Sequence, residues 1–178
     1  MRFLTVMLAL VGLIVVVGCD RRGATAESKP QAPSDAIPPT LVLASAPANA
    51  KDVKLAKATL KPGDEVVLHG VIGGRVDPLA ANRAIMTVID PSLPTCDKMK
   101  SGNDHCETPW DACCEEQETI TAAAATVQVV NDKGQALKVG LNGHKGIAPG
   151  KDVTVAGKVR SADEKNLVVD ATGIYVKS

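Results

Sequence analysis

The chain has 178 residues, balances 20 Lys and Arg against 20 Asp and Glu, and carries one Trp, one Tyr and one Phe. That neutral balance gives no basic footprint, and so few aromatic side chains give no stacking platform, so nucleic acid is excluded as an expected partner. The apolar content, 45% and carried by Val, Ala, Leu and Ile, suits a packed domain rather than a disordered chain.

Residues 4–17, LTVMLALVGLIVVV, form an apolar run behind Arg2. Its 14 residues would make a helix of about 21 Å, short of the roughly 30 Å hydrocarbon core, which disfavours a spanning segment. A plain secretory signal would favour an A-x-A-like cleavage site; here Gly18 precedes Cys19 and a polar tract follows. Val16-Val17-Gly18-Cys19 resembles the lipobox of bacterial lipoproteins. The resemblance implies a signal peptide over residues 1–18, removed before Cys19, and a diacylglycerol on that cysteine. The partner would then be membrane lipid, and the protein would sit in the cell envelope facing the periplasm or the exterior. Loss of Arg2 with the signal leaves 19 basic against 20 acidic side chains, a net charge of about −1.

Residues 19–50 turn to Ala, Pro, Ser and Lys, with Pro30, Pro33, Pro38, Pro39 and Pro47 interrupting any periodicity. This composition reads as an extended, disordered tether. Leu41-Val42-Leu43 is too short an apolar run to establish a strand. The folded part is expected over residues 51–178, the size of one ordinary domain.

Period-two patterning dominates that domain. Val66, Leu68, Gly70 and Ile72 alternate with Val67, His69 and Val71, and AIMTVID at 84–90 is similarly β-rich. TVQVV and ALKVGL flank Asn131-Asp132-Lys133-Gly134 and predict a hairpin. Val153, Val155, Gly157 and Val159 share one face of a half-buried strand. In the last strand Leu167, Val169 and Ala171 lie in one phase and Ile174 and Val176 in the other, with Gly173 placed for a bulge to reset it. No long helical pattern appears, and the alanines at 122–125 are too few to nucleate a helix unaided. Gly140, Gly143 and Gly146 around His144 read as turn residues.

An all-β barrel follows. The stretch K-D-V-T-V-A-G-K-V, with Gly150, Val153, Val155, Gly157 and Val159 in register before a polar turn and a last apolar strand, resembles the closing pair of OB-folds. The resemblance covers roughly residues 62–177 and implies a small OB-fold-like barrel of five to six strands. Six candidate strands for a five-stranded template, and a long insertion between the second and third, depart from the pattern. A generic β-sandwich is the competing architecture. OB-folds serve many ligands, so the fold alone names none.

The insertion, residues 91–118, holds all four remaining cysteines, Cys96, Cys106, Cys113 and Cys114. In an oxidising compartment an even count favours two disulfides. Adjacent Cys113 and Cys114 would close a strained ring, leaving either Cys96 with Cys113 and Cys106 with Cys114, or the crossed pairing. The alternative is a metal-binding or metal-delivery protein using these cysteines and His105 on an acidic loop, although the C-x2-C knuckles typical of zinc sites are missing. Trp110 and His105 are candidate contact residues, Trp110 either capping the core or anchoring a partner. The string CETPWDACCE resembles a segment of uncharacterised exported bacterial proteins and implies no activity.

No G-x-S-x-G, H-E-x-x-H or phosphate-cradling loop occurs, and His69, His105 and His144 are scattered. A haem chaperone with an OB-fold carries a haem-attaching histidine beyond its barrel; residues 170–178 contain none. The expectation is a non-enzymatic, lipid-anchored binding module without catalytic residues, cofactor or resident metal, whose stapled loop contacts an envelope protein or small molecule.

Overall fold

A computed structural model describes residues 36–99 and 107–178. Two short helices and six strands follow in the order β1 (Lys51–Asp52), α1 (Val53–Thr59), β2 (Glu65–Ile72), β3 (Ile85–Ile89), α2 (Gln117–Ala122), β4 (Ala124–Gln128), β5 (Asp152–Ala162) and β6 (Leu167–Val176). Among the described residues no helix is long and apolar enough to cross a membrane.

Strands β2 to β6 close a five-stranded mixed barrel. Starting from β2, the spatial order runs β3, β4, β6 and β5, and β5 returns to β2 through antiparallel pairing of residues 65–71 with 152–158. All barrel pairings are antiparallel except β4 with β6. Such an architecture is consistent with a small OB-like all-β fold.

The inward phase anticipated for β2 and β5 is the one buried. Val66, Leu68, Ile72, Val153, Val155 and Val159 lie in the core, joined by Met86, Val88 and Val127 from β3 and β4. Removing such side chains from water is the main drive for closure, about 1.5–3 kcal/mol for each fully buried large aliphatic. In β6, Ala171 faces Gly157 and Gly173 faces Ala156, so Thr172 is the extra residue that carries Ile174 into the core. Gly157 is required there, because a Cβ would collide with the Asp170 carbonyl oxygen.

Two expectations are corrected. ALKVGL forms no regular strand: its pairing with β4's extension is a single bridge, Val130 to Ala136, after which Leu137 and Leu141 turn into the core. Ala136 and Leu137, neighbours in sequence, are both buried, which breaks the alternation that a strand with one buried face requires. The sixth strand is instead β1, parallel to β2 at Leu68 and His69.

The second correction concerns the tether. Leu41 is 2% exposed, and Leu43 N–H donates to the Ile174 carbonyl at 2.9 Å while Ile174 N–H donates to the Leu41 carbonyl at 2.7 Å. The packed chain therefore begins upstream of the boundary expected at residue 51; the rest of the expected tether lies outside the described residues. The physical reason is edge cover. β3 pairs with β2 only at Val71 and Ile72, and β4 pairs with β6 only at residues 168–170. The backbone edges left over are met by β1 and by Val42, which removes unpaired groups that would otherwise invite foreign strands.

Both helices are local products of packing. In α1, Val53 and Ala56 are buried one turn apart, and the Asp90 carboxylate accepts the Lys54 N–H at 2.8 Å, closing an orphan donor of the first turn. The helix α2 ends at Ala122; Ala124 and Ala125 already belong to β4.

Candidate functional site

A polar groove of about 310 Å³ crosses the face formed by β3 and β4. Thr87 and Thr126 form its floor, Arg75 comes from the β2–β3 loop, Gln117 and Thr121 from α2, and Lys165 from the β5–β6 turn. Among the described residues Arg75 and Lys165 are its charged lining residues, and no carboxylate lines it. Hydroxyls, amides and two cations make it a donor-rich surface suited to polar or anionic ligand groups.

Specific contacts hold these walls. Asp163 accepts the N–H groups of Lys165 at 2.8 Å and Asn166 at 2.7 Å, the side-chain-capped turn that polar residues of this type favour. Those backbone donors, helped by the Asn166 side chain, hold its carboxyl below the ordinary carboxylate range. Lys57 of α1 reaches across to donate to the Thr121 carbonyl and, at 3.0 Å, to the Lys165 carbonyl, tying α2 to the turn. Burial lowers the Lys57 pKa, outweighing the attraction of Asp163.

The cysteine insertion adjoins this groove through α2. Cys96 N–H donates to the Asp111 carbonyl at 2.8 Å and Asp97 N–H to the Pro109 carbonyl at 3.1 Å, so the two flanks of the loop run side by side. Beneath them Ile89, Leu93, Ala112 and Ala123 make a small apolar cluster. Cys96 Sγ lies 3.2 Å from Cys113 Sγ, and Cys113 Sγ lies 3.8 Å from Cys114 Sγ. Three of the four expected cysteines are thus brought together; Cys106, like His105 and Cys19, lies outside the described residues. Among the described residues no group of three or more His, Cys, Asp or Glu is arranged to hold a metal ion.

Trp110 is half-buried rather than sealed in the core. Its indole N–H donates to the Val76 carbonyl at 3.0 Å, and its own carbonyl accepts the Gly74 N–H at 2.9 Å. A Cβ on Gly73 would stand 2.5 Å from that carbonyl oxygen, so the small residues at 73–74 let the insertion lie against the β2–β3 loop. Trp110 therefore fastens the insertion to the loop that carries Arg75.

A further cluster centres on His69 of β2. His69 Nδ1 is 2.7 Å from Asp52 Oδ1, and Nε2 is 3.1 Å from Asp152 Oδ1. Comparisons with protein-family models, curated proteins and solved structures give no match.

Sequence reasoning missed the groove, because four separated segments supply its walls. Only the polar turn after β5 left a signal. In the sequence His69 appears only as one of three scattered histidines, since Asp152 is 83 residues away along the chain.

Proposed function

We propose that the chain is a lipid-anchored, non-enzymatic binding module of the cell envelope, of OB-fold type, which takes a small polar ligand in the groove over β3 and β4. The observation that carries this reading is the groove's lining, whose charged members among the described residues are Arg75 and Lys165, with Glu118 and Glu164 lying in the adjoining pocket that shares Lys165. Its volume of about 310 Å³ fits a monosaccharide-sized or similar ligand rather than a polymer core. The anchor rests on Val16-Val17-Gly18-Cys19.

In this reading the insertion steadies the α2 wall. The 3.2 Å approach of Cys96 to Cys113 supports that pairing over the crossed one, which leaves Cys106 for Cys114. Each bridge forms as two thiols give up two protons and two electrons to an exported disulfide-type oxidant.

The groove is tested by titrating the full chain with glucuronate and inorganic phosphate while recording backbone amide shifts. Shifts at Arg75, Thr126 and Asn166, reduced at least tenfold in apparent affinity by Arg75→Gln with Lys165→Gln, are expected, since losing charged hydrogen bonds costs about 1.5–3 kcal/mol each. Shifts confined to another surface, or binding unchanged in the double variant, would contradict the reading.

A further inference from the structure

We propose that His69, clamped between Asp52 and Asp152, is a proton-operated latch that fastens residues 41–52 to the barrel, tight when the imidazole is charged and loose when it is neutral. Three elements meet in it. Asp52 is the last residue of β1, His69 lies at the parallel register position beside it on β2, and Asp152 opens β5. Both ring nitrogens face carboxylate oxygens, at 2.7 and 3.1 Å.

The chemistry of the ring decides the protonation state that fits. An ionised carboxylate only accepts hydrogen bonds, and a neutral imidazole donates from one nitrogen and presents a lone pair at the other. Two carboxylates therefore match the imidazolium, which donates from both. In the neutral form one carboxylate faces a lone pair, and the contact that holds β1 or the one that holds β5 is lost.

Among the described residues the charged groups acting on the ring are the two carboxylates. From β1 the facing group is Asp52; from β5 it is Asp152, with Thr154 as the uncharged register partner. β3 carries no titratable side chain. From α1, Lys54 is engaged with Ser92 and Lys57 with the carbonyls of Thr121 and Lys165. Beyond β6, Lys177 Nζ stands 3.8 Å from the other oxygen of Asp152. Partial burial disfavours the charged ring, but Asp52 and Asp152 outweigh it, and the pKa lies above the ordinary histidine value.

The direction of the switch follows from linkage. A group whose pKa is raised on docking stabilises the docked state below its undocked value, and that stabilisation is lost as pH rises through the docked value; the part linked to docking is that of Asp52, since Asp152 on β5 stays beside the ring when the segment leaves. Segment 41–52 is therefore held in acid and loosened towards alkaline pH. The segment lies between the proposed anchor at Cys19 and the barrel. Its release would lengthen the link between barrel and membrane by about 3 Å per residue freed. That consequence rests on the anchored reading; the latch itself does not.

The test is hydrogen exchange of the full-length protein in detergent between about pH 5.5 and 8.5, corrected for intrinsic exchange rates. Protection at residues 41–52 should fall by about threefold to tenfold across this range, a tenfold change corresponding to one unit of pKa difference between docked and released states. Amides of β5 and β6 outside the contacts with residues 41–43 should hold level. Asp52→Asn, at a position whose side chain is 56% exposed and tolerant of change, should lower protection of the segment and flatten its pH dependence. His69→Gln should do the same. A flat wild-type profile, or a pH dependence that survives in Asp52→Asn, would overturn the latch.

Discussion

The barrel and the cysteine insertion are held together by different physics. Every barrel strand shares a ladder with two neighbours and contributes to one continuous apolar core. The insertion has paired flanks around Cys96 and Asp111, a satellite cluster of Ile89, Leu93, Ala112 and Ala123, and sulfurs in close approach. A region with so few buried apolar contacts opens locally at a smaller free-energy cost than the barrel. The groove is built where the two meet, its floor from the stiff part and its α2 wall from the pinned part.

That contrast implies a graded set of responses. The largest belongs to the barrel core. Ile174→Ala, at a fully buried position that also meets Leu41 and Leu43 through its backbone, should cost about 2–5 kcal/mol in urea unfolding and weaken all strands together. A loss confined to the N-terminal segment would show the barrel to be less cooperative than its pairing implies. Next is the proposed Cys96–Cys113 bridge. Cys96→Ser with Cys113→Ser should cost roughly 3 kcal/mol, the loop-closure scale for a crosslink of this span, with lost amide protection concentrated in residues 91–123. Equal losses in β2 and β5 would mean that the insertion is integral to the barrel.

The smallest effect sits at the seam. Asp90, 4% exposed, accepts hydrogen bonds from Lys54 N–H, Ser92 N–H and the Ser92 hydroxyl. Burial alone would raise its carboxyl pKa, but these donors outweigh it and hold the group below its ordinary value. Its contribution is therefore present above about pH 4 and is lost as pH falls through the lowered folded value. Asp90→Asn should cost about 1–2 kcal/mol at pH 7, measured by urea unfolding, and remove that part of the acid sensitivity.

How much was legible in the sequence follows the same division. β2, β5 and β6 announced themselves because one-sided burial imposes a period of two, and the phase change around Gly173 was visible for the same reason. ALKVGL misled because the adjacent Ala136 and Leu137 are both buried, which no strand with one buried face allows. The helix α1 was silent, since its buried stripe is only Val53 and Ala56 while Leu55 is 53% exposed. The cysteines marked the insertion through composition alone. The groove and the His69 clamp were hidden because each depends on side chains brought together by barrel closure, which no local pattern records.

The anchored, stapled account is tested most directly by peptide mapping of the unreduced protein extracted from membranes. It predicts an acylated N-terminal peptide beginning at Cys19 and a linked pair of peptides containing Cys96 and Cys113, separable by reductant. An unacylated Cys19 still joined to residues 1–18, together with Cys96 linked to Cys114 or all four insertion cysteines recovered as thiols, would contradict it.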